Sequence, residues 1–304
     1  MRIHIEQVLG NTGCLFAGGN CIPFYQLENK RWLLIDSGSH HIRQELTDYL
    51  KQEQIQIRAV LCSHAHFDHT ENNRFLQETF GAEIVMSAAD AGMVRDTIGL
   101  KACFYSYSPG DIQEDYGEMI CRADRIFAPW DKVVEVEHAV FQILQLPGHA
   151  PSHLGFVTPD GVAYLADAVF SPDNSGKDRL LYMLNWKRAL ETIEEIRHYD
   201  GYARYILAHC GVYKDIRDVA EENISRFLRI LEGCLALFTT EGCSLDALIT
   251  RAAYHYHFPL HDFEWVSLFE RLVRAMAEYW VEKGNVKREF LNGVVVYALS
   301  DKLE

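Results

Sequence analysis

The stretch Ser63-His64-Ala65-His66-Phe67-Asp68-His69 places three imidazoles and a carboxylate within six consecutive residues, directly after the apolar run Ala59-Val60-Leu61-Cys62. If extended geometry persists past the strand, His64 and His66 point to one face. The turn that follows brings Asp68 and His69 back to a neighbouring point. Imidazole nitrogen and carboxylate oxygen converging on one centre form the donor set of zinc and other borderline metals. A chance run of histidines on a solvated loop is the alternative. HxHxDH at a strand end is far more specific than an isolated HxH.

One stretch cannot complete two coordination spheres, so further ligands are expected at the ends of later strands. Three candidates stand there. His149 lies in Leu146-Pro147-Gly148-His149-Ala150-Pro151-Ser152-His153, Asp167 ends Val162-Ala163-Tyr164-Leu165-Ala166, and His209 ends Tyr205-Ile206-Leu207-Ala208. Seven nitrogen and oxygen donors exceed the four that one tetrahedral zinc takes, which points to two ions.

In these motifs the chain resembles the metallo-β-lactamase superfamily, with its HxHxDH, PGHxxGH-like, strand-end Asp and strand-end His elements; the likeness covers roughly residues 1 to 215. The resemblance implies an α/β fold, a four-layer αββα sandwich with the metals at one edge between the sheets. It implies that His64, His66 and His149 hold one divalent ion and that Asp68, His69 and His209 hold the second, with Asp167 bridging. The ions are expected to be zinc, with iron or manganese compatible with the same donors. Two such ions share a hydroxide made nucleophilic near neutral pH, and Asp68 is placed as the catalytic residue that orients it and relays its proton. Asp36-Ser37-Gly38-Ser39 resembles the family's Asp-Thr/Ser-Gly turn, whose carboxylate fixes the tautomer of a ligand histidine. His153 reads as a supporting histidine, and Cys62 and Cys210 as ordinary strand cysteines beside ligands.

The elements that must position these residues are legible as periodic runs. Strands are expected over 3–9, 14–16, 21–27, 32–35, from Arg58 into the metal motif, and over 82–87, 133–137, 140–146, 154–158, 162–166 and up to His209. Helices are expected over 42–53, 72–80 and 185–199, with another starting at 87–90. Residues 97–132 are the least regular part of this domain. Their Phe104, Tyr105, Tyr107, Tyr116, Phe127 and Trp130 suit a lid over an apolar substrate group, or a small subcore. Ser171 to Asp178 reads as a polar loop beside the site. Thr70-Glu71-Asn72-Asn73 is bulkier than the small residues usual in the family and implies a reshaped pocket side.

After residue 215 the composition shifts. Helices over 216–238, 245–254 and 263–283 and a hairpin of 286–290 with 294–298 around Asn292-Gly293 resemble a winged-helix appendage over 216–304. Such a tail invites a DNA-binding reading. It carries ten Lys/Arg against fourteen Asp/Glu, a net of −4, and the whole chain carries −14, which argues against phosphate attraction. Packing on the first domain, with Phe227, Leu228, Leu231 and Leu235 as the covering side, or pairing in a homodimer, is expected instead. The run Tyr254 to His261 is placed to reach the pocket mouth.

A chain of 304 residues with 48% hydrophobic side chains can bury a sizeable core. The start lacks a signal-peptide pattern, no run is long and apolar enough to span a bilayer, and the 8 cysteines form no CxxC pair. A cytoplasmic protein is expected. The leading function is metal-dependent hydrolysis of a small-molecule ester, thioester or lactone. A phosphodiesterase or nuclease would need cations near the metals, for which Arg122, Arg125, Lys177 and Arg179 are the candidates. An iron-dependent persulfide-type oxygenase would use fewer of the ligands, and a non-catalytic regulatory protein would leave most of them unexplained. Phe170 stands where homoserine-lactone lactonases have Tyr, and Ala65 where glyoxalase II-like enzymes have His.

Overall fold

The computed structural model describes residues 3–104, 107–172, 180–209, 211–261 and 263–300. Tyr105, Lys177, Arg179, Cys210 and most of the 171–178 loop lie outside them. Two sheets face each other. The first has seven strands in chain order, β1 (His4–Leu9), β2 (Thr12–Ala17), β3 (Asn20–Leu27), β4 (Arg31–Ile35), β5 (Gln56–Leu61), β6 (Glu83–Ser87) and β7 (Arg125–Phe127). The second contains β8 (Val133–Val136), β9 (Ala139–Gln145), β10 (Leu154–Val157), β11 (Val162–Ala166), β12 (Arg204–Leu207) and β13 (Val212–Tyr213), also in sequential order.

Side chains alternate across a strand with period two, and this sorts the core into layers. Leu33 and Ile35 of β4, Ala59 and Leu61 of β5, and Val162, Tyr164 and Ala166 of β11 meet between the sheets. Leu34 and Val60 face the helices outside the first sheet, and Ala163 and Leu165 face those outside the second. Strands apolar on both faces are those covered on both faces. The expected α/β sandwich of four layers, αββα, is the fold.

The helices follow the same logic. Outside the first sheet lie α1 (Arg43–Gln52), α2 (Phe67–Thr70), α3 (Asn73–Phe80), α4 (Ala88–Met93), α5 (Thr97–Cys103) and α6 (Pro109–Tyr116). The stretch 97–132 is therefore more regular than its sequence suggests. The first helix in it is capped by Asp96, the second by Ser108 in a reciprocal capping box with Asp111, each cap satisfying an amide that the helix leaves open. Its aromatics divide: Tyr107 packs edge-on against Phe104 and Tyr116, Phe127 joins the core between the sheets, and Trp130 is 76% exposed.

Outside the second sheet, α7 (Trp186–Ile196) is followed by α8 (Arg217–Leu235), the two-residue β14 (Cys243–Ser244), α9 (Leu245–His255), α10 (Phe263–Glu282), β15 (Val286–Leu291) and β16 (Val294–Leu299). The last hairpin is extended to three strands because β14 pairs with β16. The tail does not stand apart. Trp186, Ala189 and Ile193 of α7 share one apolar cluster with Ala220, Phe227, Leu231 and Cys234 of α8 and with Phe269, Val273 and Met276 of α10. Trp186 and Phe227 meet edge to face at 5.2 Å. Asn223 ties the layers by accepting from the Phe170 amide and donating to its carbonyl.

The covering face of α8 differs in one residue from the expectation. Phe227 and Leu231 are fully buried and Leu235 is partly buried, but Leu228 is 40% exposed. The physical reason is helical phase: 227, 231 and 235 recur every four residues, whereas 228 lies about 100° around the axis.

Candidate metal centre

All seven singled-out side chains come together where strands end on the same edge of the sandwich. The chain leaving β5 carries His64, His66, Asp68 and His69. The loop after β9 carries His149, while Asp167 and His209 follow the parallel neighbours β11 and β12. Gly148 lets the loop of His149 lie against α7. Its φ is +139°, and a Cβ there would sit 2.5 Å from Ala189 Cα. Asp36 and Ala166 also hold left-handed backbone, with φ of 65° and 47°, a cost that a non-glycine residue bears where surrounding contacts fix it.

The donor atoms converge closely. His66 Nδ1 lies 3.0 Å from His64 Nε2 and 2.9 Å from His149 Nε2. One ring nitrogen cannot satisfy two others with a single proton, so lone pairs crowd this point. Asp167 Oδ2 lies 3.3 Å from His149 Nε2 and 3.6 Å from His69 Nε2, and its Oδ1 lies 3.5 Å from His209 Nε2. Asp68 Oδ2 completes the group at 3.4 Å from His209 and 3.6 Å from His69. Asp167 thus faces both halves of the cluster. His69 Nε2 and Asp167 Oδ1 are buried without a hydrogen-bond partner, an arrangement that costs free energy unless something else binds them.

The opposite ring atoms are anchored. Asp36 accepts from His69 Nδ1 at 2.8 Å, from the Ser63 amide and hydroxyl at 2.7 Å each, and from Tyr164 Oη at 2.9 Å. With its proton on Nδ1, His69 turns Nε2 to the cluster. His149 donates from Nδ1 to the Tyr182 carbonyl at 2.9 Å. His153 donates to the Leu146 carbonyl and accepts from the Asp167 amide; both its nitrogens are used, and it supports the loops. Asn20 donates to the Asp68 carbonyl.

Charge divides the cluster. Burial, reinforced by neighbouring imidazoles, holds His64 and His66 well below the usual histidine range, and burial lowers His149 too. These three are neutral at neutral pH. Burial also opposes charge on His69 and His209, but the carboxylates Asp68 and Asp167 outweigh it, raising His69 strongly and His209 to about 10. Asp68 is held at about 2 against its burial by His69 and His209. The carboxylates thus demand positive charge at this point.

Thr70, Glu71, Asn72 and Asn73 are not among the side chains that line the cavity beside the cluster. Thr70 donates back to the His66 carbonyl, and the other three tether loops. Asn72 donates to the carbonyls of Ser37, Gly38 and Ser39, Glu71 accepts from the His40 amide, and Asn73 donates to Cys62 Sγ at 3.3 Å. Burial pushes the Cys62 thiol well up, which leaves it unreactive.

The cluster forms the floor of a cavity of about 640 Å³. Phe104 and Tyr116 of the insertion, Phe170 and Tyr182 of the second half, and Tyr256, Phe258, Trp265 and Arg271 of the tail are among its walls. The run 254–261 does reach the pocket, whereas Tyr254 itself is exposed. Arg122 and Arg125 line no part of it and pair with Asp124 and Glu83. Sequence reasoning missed Ser63, Tyr164, Tyr182 and Arg271. Ser63 lies beside His64 and Tyr164 three residues before Asp167, so each had a local signal; Tyr182 and Arg271 are distant from every donor in the chain.

The sequence model described as the metallo-β-lactamase superfamily matches residues 19–209. Among curated proteins, the hydroxyacylglutathione hydrolase GloC of Haemophilus influenzae is 26% identical over 152 residues, 50% of this chain and 66% of that protein. A hydroxyacylglutathione hydrolase of Chromohalobacter salexigens is 26% identical over 159 residues, 49% of this chain and 51% of that protein. The chain spans between 42% and 66% of the length of the curated relatives it matches. Two solved structures share the fold along nearly the whole chain. A β-lactamase domain protein from Burkholderia ambifaria superposes with a TM-score of 0.70 at 15% identity, covering 97% of this chain and 93% of its own. A metallo-β-lactamase family protein from Thermus thermophilus gives 0.65 at 19% identity, covering 98% of each.

Proposed function

The chain belongs to the metallo-β-lactamase superfamily, and we propose that it is a metallohydrolase that cleaves a small thioester with an apolar or aromatic group, using two divalent ions. The observation that carries this reading is the cluster of seven donors, with buried, unpartnered His69 Nε2 and Asp167 Oδ1, on the floor of an aromatic-walled cavity. The donors fit metal ions. His64, His66 and His149 form one neutral set within 4.8 Å, and Asp68, His69 and His209 another; Asp167 faces both and is the bridging candidate. Protons on His69 and His209 supply the positive charge that the carboxylates demand, and divalent ions would replace them. When bound, such ions act as Lewis acids and lower the pKa of water; the donor set is compatible with zinc, iron or manganese.

The chain's own residues do the rest. Asp68, ionised and partly open to the cavity, is placed to orient the attacking water and accept its proton. Asp36 holds His69 in one tautomer. The aromatic walls, one of them built by the tail, exclude water and take the apolar part of the substrate. Thioester is favoured over lactone and simple ester because the curated relatives are named for acylglutathione, whose acyl linkage is a thioester. Ala65, where glyoxalase II-like enzymes have His, and the different tail leave the thiol part of the substrate open. A small-molecule substrate and a cytoplasmic location belong to this reading; no helix among the described residues is long and apolar enough to cross a membrane.

Purified protein loaded with zinc, iron or manganese in turn, and assayed on matched thioesters, esters, lactones and phosphodiesters, tests it. Thioester turnover well above the others is expected. A preference for phosphodiesters would overturn it. A second expectation concerns Asp36→Asn. Either orientation of the amide sets its N–H₂ group against at least one donor, the Ser63 amide or the trio of Ser63 Oγ, His69 Nδ1 and Tyr164 Oη, and removes the charge that holds the His69 proton, so the anchor of His69 is weakened. Such outer partners are worth roughly 10- to 100-fold in metal affinity. Competition with a chromophoric chelator should show that loss; unchanged affinity would remove Asp36 from this role.

A further inference from the structure

Among the described residues that line the cavity, Arg271 is the only Lys or Arg. Its guanidinium carbon sits 4.9 Å from the ring centre of Phe104 and 5.4 Å from that of Tyr182. Among the described residues its one hydrogen bond is long, Nε to the Ser267 carbonyl at 3.4 Å. No carboxylate of the described residues lies within ion-pair distance, although Arg274 on the same helix pairs with Glu270 at 3.3 Å. A guanidinium held between aromatic faces keeps its planar edge of N–H donors available, the geometry that takes a carboxylate bidentately. A half-buried cation facing an apolar cavity is costly unless an anion joins it.

Position narrows the ligand. The Tyr182 ring lies 5.7 Å from the His66 ring and 5.8 Å from the His149 ring. Tyr182 therefore separates the guanidinium from the cluster by a single aromatic step. We propose that Arg271 selects a carboxylate on the substrate, so that the thioester this protein takes is a small anionic one, with carbonyl at the cluster and carboxylate at α10. This rests on the thioester reading for the reaction, but the anion site can be read without turnover. The competing explanation is structural: Arg271 merely fastens the tail to Phe104 and Tyr182.

The experiment uses the metal-loaded full chain and two matched pairs of thioesters. In one pair the acyl part ends in a carboxylate or its methyl ester; in the other the thiol part does. The wild type should prefer the acid of one pair by roughly 10- to 100-fold in kcat/KM, the scale of a charge-assisted hydrogen bond, mostly through KM; which pair shows it identifies the carboxylate's side. Arg271→Met should collapse that ratio towards one, and Arg271→Lys should keep part of it. Calorimetric titration with the matching thioethers, which cannot be hydrolysed, should show the same preference for the acid. Equal treatment of acid and ester by the wild type, or an equal loss on both in Arg271→Met, would overturn the anion site while leaving thioester hydrolysis standing. Absence of all thioester turnover, with the thioether acids still bound through Arg271, would overturn the reaction and keep the anion site.

Discussion

His66→Ala and His209→Ala, made singly, are expected to cut turnover by roughly a thousandfold or more, the effect of losing several kcal/mol of charge stabilisation at one metal position. The two are chosen for their location. Both are only partly buried, at the cavity floor, whereas His64 and His69 are fully enclosed. They also belong to different donor sets: His66 groups with His64 and His149, His209 with Asp68 and His69. Elemental analysis should find two ions per wild-type chain and a deficit in each variant. Stability should separate from activity. In metal-free protein, His66→Ala removes a nitrogen crowded at 2.9 and 3.0 Å by two others, so its unfolding midpoint should not fall. Near-wild-type hydrolysis by either variant would show that its metal is misassigned, and one ion per fully active chain would end the binuclear reading.

Deleting residues 216–304 is expected to produce a chain that associates or fails to fold, although all seven donors lie upstream. Phe227, Ile230, Leu231, Phe269, Leu272 and Val273 are buried in the same cluster as Trp186, Ala189 and Ile193. Each large apolar side chain so buried contributes about 1.5–3 kcal/mol, and a whole domain is stable by only about 5–15 kcal/mol. The exposed remainder would be an apolar patch of roughly several hundred Å², enough to drive association. The truncation also removes the cavity wall formed by Tyr256, Phe258, Trp265 and Leu268. A DNA-binding tail predicts the opposite: a soluble, kinetically normal truncated enzyme, and a full chain whose duplex affinity falls steeply with salt. Gel-shift titrations at two salt concentrations, run beside light scattering of the truncated form, decide between them.

The tail shows how far pattern carries. The apolar spacing of α8, α9 and α10 announced three helices, because a helix that must bury one stripe writes the stripe into its sequence. The same spacing included Leu228, which the fold leaves exposed, because the width and phase of the covered stripe depend on what packs against it. Residues 97–132 illustrate the converse. Their caps are local and fixed α5 and α6, but whether an aromatic there became wall, subcore or surface depended on partners far along the chain. Thr70 to Asn73 looked like pocket residues by adjacency to His69; in the fold Thr70 donates back to the His66 carbonyl, while Glu71 and Asn72 turn to the 37–40 loop and Asn73 to Cys62.

By itself the sequence determined the sandwich and singled out the seven side chains that the fold brings together. Period-two alternation dictates which strands are covered on both faces, and the seven side chains stand in the segments that follow strand ends, Asp68 and His69 in the short helix α2 after β5. Those are short-range constraints, carried within a few residues. Only the tertiary structure decided that His69 is the histidine Asp36 anchors and that Tyr164 donates to the same carboxylate, that Trp265 joins Tyr256 and Phe258 in the wall of the cavity floored by the cluster, and that Arg271 faces that cavity with no carboxylate partner among the described residues. Each of these joins residues dozens to hundreds of positions apart. Such contacts leave no local period, because their geometry is set by how the two sheets face each other and how the tail packs on them, and not by the spacing of their own side chains.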